Sequence, residues 1–242
     1  MRYFYLFFIV LILGCKPSKK ELTAQEIIDA SIVNSGTDKV ANSNITFTFR
    51  DKKYSAKRNK GTFSLTRSFD SITDILSNTG FKRFVNQIEI KVADSMVARY
   101  TNSVNSVHYF SALPFGLNDT AVFKKRLASS TIKGKEYYKI EVTFSEKGGG
   151  EDFDDVFIYW IGKEDFLVDY LAYSYHTNGG GKRFRVLKEQ CSKNGIRFVD
   201  YYNYKPLNKL ISLLDIDKAF EKNQLRKISE IILKDIKVDV LD

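Results

Sequence analysis

The chain is poor in the residues that usually announce chemistry. Its 242 residues include two cysteines, two histidines, three prolines, two methionines and one tryptophan. The histidines, His108 and His176, are far apart and form no His-x-x-His or His-Glu-x-x-His spacing. A zinc centre would need further ligands that no pattern supplies. No Gly-x-Ser-x-Gly elbow marks a serine nucleophile. The strand order lacks the alternating helices of a βα barrel, which leaves a lysine aldolase without a scaffold. None of the usual nucleic-acid motifs occurs. No apolar run reaches the roughly 20 residues that span a bilayer as a helix. Internal repeats, low-complexity stretches and a clear domain boundary are also missing.

What is present begins at the N-terminus. Arg2 is followed by an apolar run from Tyr3 to Leu13, then by Gly14 and Cys15. A charged residue, a short apolar region and a small residue before a cysteine make an export signal rather than a membrane span. The segment resembles a bacterial lipoprotein signal peptide, with Ile12-Leu13-Gly14-Cys15 as its lipobox. The resemblance implies cleavage before Cys15 and lipidation of that residue. More than one acyl chain is needed for stable anchoring, and lipoproteins of this kind carry three. The expected organisation is a signal peptide over 1–14, a lipidated cysteine and tether over 15–22, and a single antiparallel-sheet domain over 23–242. With Cys15 acylated, Cys191 is the only thiol left, so no intramolecular disulfide can form in an oxidising compartment. Cys191 reads as a small buried or half-buried residue.

The full chain carries a formal charge of +9, and loss of Arg2 with the signal leaves +8. This excess has two readings: a solvated surface, or attraction to anionic lipid head groups or acidic glycans. Nucleic acid is not an expected partner of an exported protein.

Phe and Tyr number 19 and 14, a composition that favours strands. Thr23 and Glu26 have capping-box spacing, which predicts a helix over Ala24–Val33 ended by Asn34-Ser35-Gly36. From Ile45 the period becomes two, with Ile45, Phe47 and Phe49 on one face. A tight turn is expected at Asp51-Lys52, and further turns at Asn59-Lys60-Gly61, Lys133-Gly134 and Asn194-Gly195. Ser95–Ala112 reads as a helix stopped by Leu113-Pro114. Strands are expected over Val122–Thr131, Glu136–Ser145, Val156–Ile161, Leu167–Tyr175, Lys182–Leu187 and Ile196–Tyr202. Pro206–Asn223 holds possible helical turns, and Ile228–Val240 closes the chain as a strand or two. The expected fold is mainly β (α+β): a large curved antiparallel sheet or half-open β-barrel of about ten strands, with an N-terminal helix and one inserted helix.

Three constellations are candidate sites. Aromatic residues crowd consecutive strands, and in Val156-Phe157-Ile158-Tyr159-Trp160-Ile161 both faces are apolar. Such a sheet is either covered on both faces or lines a cavity. Phe157, Tyr159, Trp160, Tyr170, Tyr173, Tyr175 and Phe184 are the candidate ligand-binding residues. Asp152, Asp154 and Asp155 are weak candidates for a hard-cation site, since four carboxylates follow three glycines, though the spacing is not that of an EF-hand. Asn178 to Arg185 has glycines and basic side chains for an anion, but reads first as a flexible hairpin loop. No catalytic residue and no cofactor is implied.

Several stretches, among them Ile45 to Arg50, Val104 to Phe110, Leu113 to Asp119, Gly149 through Trp160, Asp169 to Tyr175 and Arg183-Phe184-Arg185, resemble a lipoprotein family of Bacteroidetes-type bacteria, the domain-of-unknown-function family 6503. The likeness covers most of residues 24–205 and brings no activity or catalytic residue. The order of elements is more loosely similar to the LolA/LolB-like carriers, which implies a sheet around a hydrophobic cavity lidded by Ala24–Val33 and Met96–Ala112. Fold alone does not fix function. Lys16-Pro17-Ser18-Lys19-Lys20 lacks an acidic run resembling a surface-export signal, which favours the outer membrane facing the periplasm. The expected function is a lipid-anchored, non-enzymatic envelope protein that binds a lipid or other amphiphile. The alternative is a structural or interaction lipoprotein with a filled core. A hydrolase around His108 or His176 is a third reading.

Overall fold

The computed structural model describes residues 21–147, 153–176 and 179–241. Cys15 and the signal peptide, and with them Gly148–Asp152 and Asn178, lie outside the described residues.

Helix α1 (Ala24–Asn34) starts as its sequence dictates. The Thr23 side chain accepts from the Glu26 amide at 3.1 Å, and the Glu26 carboxylate accepts from the Thr23 amide at 2.7 Å. Both orphan donors of the first turn are thereby satisfied. A 3-10 turn (Thr37–Asn42) leads into a meander of six strands: β1 (Ser43–Phe49), β2 (Lys52–Asn59), β3 (Thr62–Phe69), β4 (Ile72–Ser77), β5 (Gly80–Val85) and β6 (Ile88–Ile90). Helix α2 (Asp94–Ser111) follows, and then a second meander: β7 (Val122–Ile132), β8 (Lys135–Phe144), β9 (Val156–Gly162), β10 (Val168–Tyr175), β11 (Gly181–Lys193) and β12 (Ile196–Pro206). Helix α3 (Ile216–Glu221), β13 (Leu225–Ile231) and β14 (Lys234–Val240) end the described chain.

The described strands number fourteen, where the sequence suggested about ten. They form two seven-stranded antiparallel sheets, ordered β14-β1-β2-β3-β4-β5-β6 and β13-β12-β11-β10-β9-β8-β7. The junction is β13 to β14: β13 extends one sheet beside β12, and β14 returns to pair with β1. The far edges, β6 and β7, do not pair, so no barrel closes; α2 connects them. Among the described residues, no helix is long and apolar enough to cross a membrane.

The hairpin turns follow from positive φ at both central residues. Lys60-Gly61, Lys133-Gly134 and Asn194-Gly195 all adopt it, as expected of a turn whose twist matches the flanking strands. The first turn is displaced by one residue from the expected Asp51-Lys52. Phe49 pairs with Lys52, so Arg50 and Asp51 are the two turn residues, at φ 47° and 61°. Gly195 has a second role. A Cβ on Gly36 would lie 1.8 Å from the Gly195 carbonyl oxygen, so the hairpin tip packs backbone to backbone against the turn after α1.

Three clusters fill the interior. Residues of α1 (Ile27, Ile28, Ile32) meet the inner face of the second sheet at Ile140, Val142, Tyr159, Ile161 and Leu171. The outer face of that sheet (Ile158, Trp160, Tyr170, Phe184, Val186) is sealed by Leu213, Ile216 and Ala219 of the segment containing α3. The third cluster joins Ile45, Phe47, Tyr54 and Leu65 of the first sheet to Val104 of α2 and to Ile196 and Phe198 of β12. Cys191 is exposed, not buried or half-buried as the sequence suggested. Strand β10 pairs with β11 only as far as Val186, so the outer half of the β11–β12 hairpin runs beyond its neighbour.

Candidate functional site

Helix α2 lies between the two sheets. Its buried residues, Val104 and His108, face the first sheet. Phe110 turns to the second, with ring centroids 6.0 Å from Phe157 and 5.8 Å from Tyr173. Beneath it a cavity of about 440 Å³ remains. Its floor is the inner face of β8 to β12: Phe144, Phe157, Tyr173, Tyr175, Arg185, Val199, Tyr201 and Asn203. Its roof is Asn102, Asn105, Ser106, Val107, Tyr109, Phe110 and Ser111 of α2, and its rim is Phe49 and Arg50 with Ile231 and Leu233 at the sheet junction. The volume falls within the roughly 300–1,000 Å³ usual for small-molecule sites.

Strand alternation divides the seven aromatic candidates. Phe157, Tyr173 and Tyr175 line the cavity. Tyr159 shares their face but is fully buried against α1, its hydroxyl 3.4 Å from that of Tyr109. Trp160, Tyr170 and Phe184 lie on the opposite face, away from the cavity. Phe184 stacks on Tyr170 at 5.6 Å and meets Trp160 edge-on at 5.4 Å. The Trp160 indole N–H reaches Ser130 Oγ at 3.0 Å and Asp217 Oδ2 at 3.2 Å, and Lys139 pairs with the same Asp217 carboxylate at 3.1 Å. These are saturated partners of a sealed core. The grouping by sequence failed here because aromatic residues adjacent along a strand point to opposite faces.

Three tyrosine hydroxyls at or beside the cavity are deeply buried. Burial raises the hydroxyl pKa of Tyr201 to about 12 and moves Tyr109 and Tyr159 upward as well. They are therefore hydrogen-bonding groups rather than acids. Two polar residues missed by sequence reasoning stand among them. Arg185 and Asn203 face each other across β11 and β12, and each is about 8% exposed. The signal lay in Arg183-Phe184-Arg185: once Phe184 is placed outward, Arg185 must point inward.

Of the acidic candidates, Asp152 lies outside the described residues. Asp154 and Asp155 meet His176, with ligand atoms all within 4.8 Å of one another. His176 Nδ1 is 3.3 Å from Asp154 Oδ2 and 3.6 Å from Asp155 Oδ1. No local spacing links His176 to them; the β9–β10 hairpin brings the two segments together. His108 Nε2 donates to the Thr66 carbonyl at 3.0 Å, and the ring packs edge-on against Phe47 and Tyr54. Burial lowers its pKa to about 4, which leaves it neutral, and the carbonyl acceptor at Nε2 places the single proton there. Among the described residues neither histidine is hydrogen-bonded to both a serine and a carboxylate, the arrangement a serine hydrolase would need.

The model of a family of unknown function, DUF6503, matches residues 1–232. No curated protein matches the sequence. Among solved structures, a DUF1329 family protein from Desulfovibrio piger is similar with a TM-score of 0.54 at 9% identity, over 90% of this chain and 94% of the other. At that identity the likeness shows the fold alone. A LolA superfamily protein from Nitrosomonas europaea is similar at TM-score 0.48 and 11% identity, over 92% of this chain and 96% of the other. A putative outer membrane lipoprotein-sorting protein domain from Vibrio parahaemolyticus is similar at TM-score 0.48 and 8% identity, over 90% and 95%.

Proposed function

We propose that this chain, which belongs to the DUF6503 family, is a lipid-anchored envelope protein that holds a hydrophobic or amphiphilic ligand between α2 and the inner face of its second sheet. The observation that carries the reading is the asymmetry of that sheet. Its outer face is buried beneath the segment bearing α3, whereas its inner face leaves about 440 Å³ lined in part by Phe110, Phe144, Phe157 and Tyr173. The aromatic rings on the sheet side of this cavity offer apolar surface to a hydrophobic chain. Polar side chains from α2 and from β11 and β12 line the rest of it and can orient a polar head.

Anchoring rests on the lipobox reading of Cys15, and the proposed site of residence is the outer membrane on its periplasmic side. The part after the tether, residues 23–242, is proposed to act as one domain. The test is native mass spectrometry of the full-length protein purified from a bacterial envelope, with solvent extraction alongside. A stoichiometric adduct of one amphiphile is expected, and Cys15→Ser is expected to move the protein out of the membrane fraction. An apo mass that stays unchanged after incubation with envelope lipids would favour an interaction protein with no ligand.

A further inference from the structure

We infer that the cavity selects an amphiphile with an anionic head, a long-chain carboxylate, and that Arg185 with Asn203 receives that head. The inference rests on the cavity-binding reading above and specifies its ligand class.

Arg185 lies on the inner face of β11, about 8% exposed, with its guanidinium carbon 4.0 Å from the Phe110 ring centroid and 5.3 Å from that of Tyr173. The two rings hold the side chain in place. One bond from the guanidinium is visible, from Nη2 to the Tyr173 hydroxyl at a long 3.4 Å. Arg185 Nε has no hydrogen-bond partner among the described residues, and no described carboxylate forms an ion pair with this guanidinium. Asp155, the acidic residue of the cavity wall, is 3.6 Å from His176 instead. A buried guanidinium without a counter-charge is costly, since burial strips its water and nothing replaces it. Among the described residues, the other three cations classed as buried, Arg67, Arg197 and Lys139, each have a carboxylate. Arg67 and Arg83 converge on Asp74, Arg197 reaches Asp169, and Lys139 pairs with Asp217. Of these four buried cations, Arg185 is the one without a carboxylate and the one that lines the cavity.

Asn203 is a second, independent sign. It sits directly across from Arg185 in the β11–β12 register and lines the same cavity. Its Nδ2 is 3.0 Å from Ser229 Oγ, while its Oδ1 is buried without a partner among the described residues. The serine hydroxyl can donate or accept, so the amide can present either end to the cavity. A carboxylate would take Arg185 Nε–H on one oxygen and the Asn203 amide on the other, completing both residues at once. Charge-assisted bonds of this kind are the strong ones. The chain would run along Phe110, Phe157 and Tyr173.

The test offers the full-length protein equal amounts of palmitate and methyl palmitate, which differ only at the head, and reads the two adducts by native mass spectrometry. Palmitate is expected to win by at least tenfold in wild type. Arg185→Met is expected to abolish the preference while still binding the ester, and Arg185→Lys to keep part of it. Equal occupancy by acid and ester in wild type overturns the head-group inference and leaves the cavity reading standing. Binding of neither ligand overturns both. Should Arg185→Met fail to fold, the wild-type competition alone decides the matter.

Discussion

Along β9, neighbouring side chains meet two different environments. Ile158 and Trp160 point outward into a core closed by Leu213, Ile216 and Ala219, where the Trp160 indole N–H meets Ser130 and Asp217. Phe157 points inward to a cavity, and Tyr159 beside it to α1. The amino acids are similar on both faces; the difference lies in what covers them. Outside, a short segment bearing α3 lies directly on the sheet. Inside, α2 must serve two sheets at once, and a gap remains beneath it. A sheet apolar on both faces therefore does not by itself announce a binding site, and the covering element decides which face binds.

The sharpest way to break this comparison is on the sealed face. Trp160→Ala is expected to cost about 3–5 kcal/mol, the usual range for deleting a large buried ring that cannot be refilled. A denaturant-unfolding midpoint checks it, and a loss below about 1 kcal/mol would mean that the outer face is not the packed one. Asp217→Ala is next, at about 3 kcal/mol, because it leaves Lys139 buried and unpaired. Replacing both, as Lys139→Met with Asp217→Leu, should restore much of the loss in the same assay.

The buried polar groups extend the contrast to pH. His108 is held neutral by burial, with a pKa of about 4 in place of 6.5, and its Nδ1 has no partner among the described residues. The unfolded chain takes up this proton below about pH 6.5, whereas the folded chain refuses it until about pH 4. Stability is therefore complete above pH 6.5 and falls as pH drops through this window, by roughly 3 kcal/mol at most from this group. Unfolding curves of wild type and His108→Phe between pH 7 and 4 should diverge accordingly, the variant being flatter. The smallest effect on stability belongs to the cavity wall. Tyr173→Leu is expected to change stability by less than about 1.5 kcal/mol, since one side of the ring has little to lose. Its effect on amphiphile occupancy in native mass spectra should be severalfold. The reverse pattern, with a large stability loss and unchanged occupancy, would remove the distinction between the two faces.

The elements were legible in the sequence where local chemistry decides them. Thr23 and Glu26 marked the start of α1, and alternation from Ile45 marked β1. The inserted helix over Asp94–Ser111 was visible from its period, and paired positive-φ residues marked the hairpins. Counting strands was harder. Arg50-Asp51 and Asn86-Gln87 turn without glycine or proline, so neither pair advertised the turn as strongly as Lys133-Gly134. The break into two sheets at β13 and β14 depends on long-range pairing and left no local mark. The site was half legible. Phe157, Tyr173 and Tyr175 were found because aromatic residues cluster there, but Trp160, Tyr170 and Phe184 came with them although they face the other way. Arg185 and Asn203 escaped because their meaning comes from opposing each other across two strands. His108, which only the third reading placed at a hydrolase site, is bonded to a backbone carbonyl.

The most direct test is a crystal structure of the full-length protein with a bromine-labelled long-chain carboxylate. Anomalous bromine signal between α2 and the inner face, with the carboxylate at Arg185, is the predicted result. Signal beneath α3, or none in the cavity at saturating ligand, would contradict the assignment of binding to the inner face.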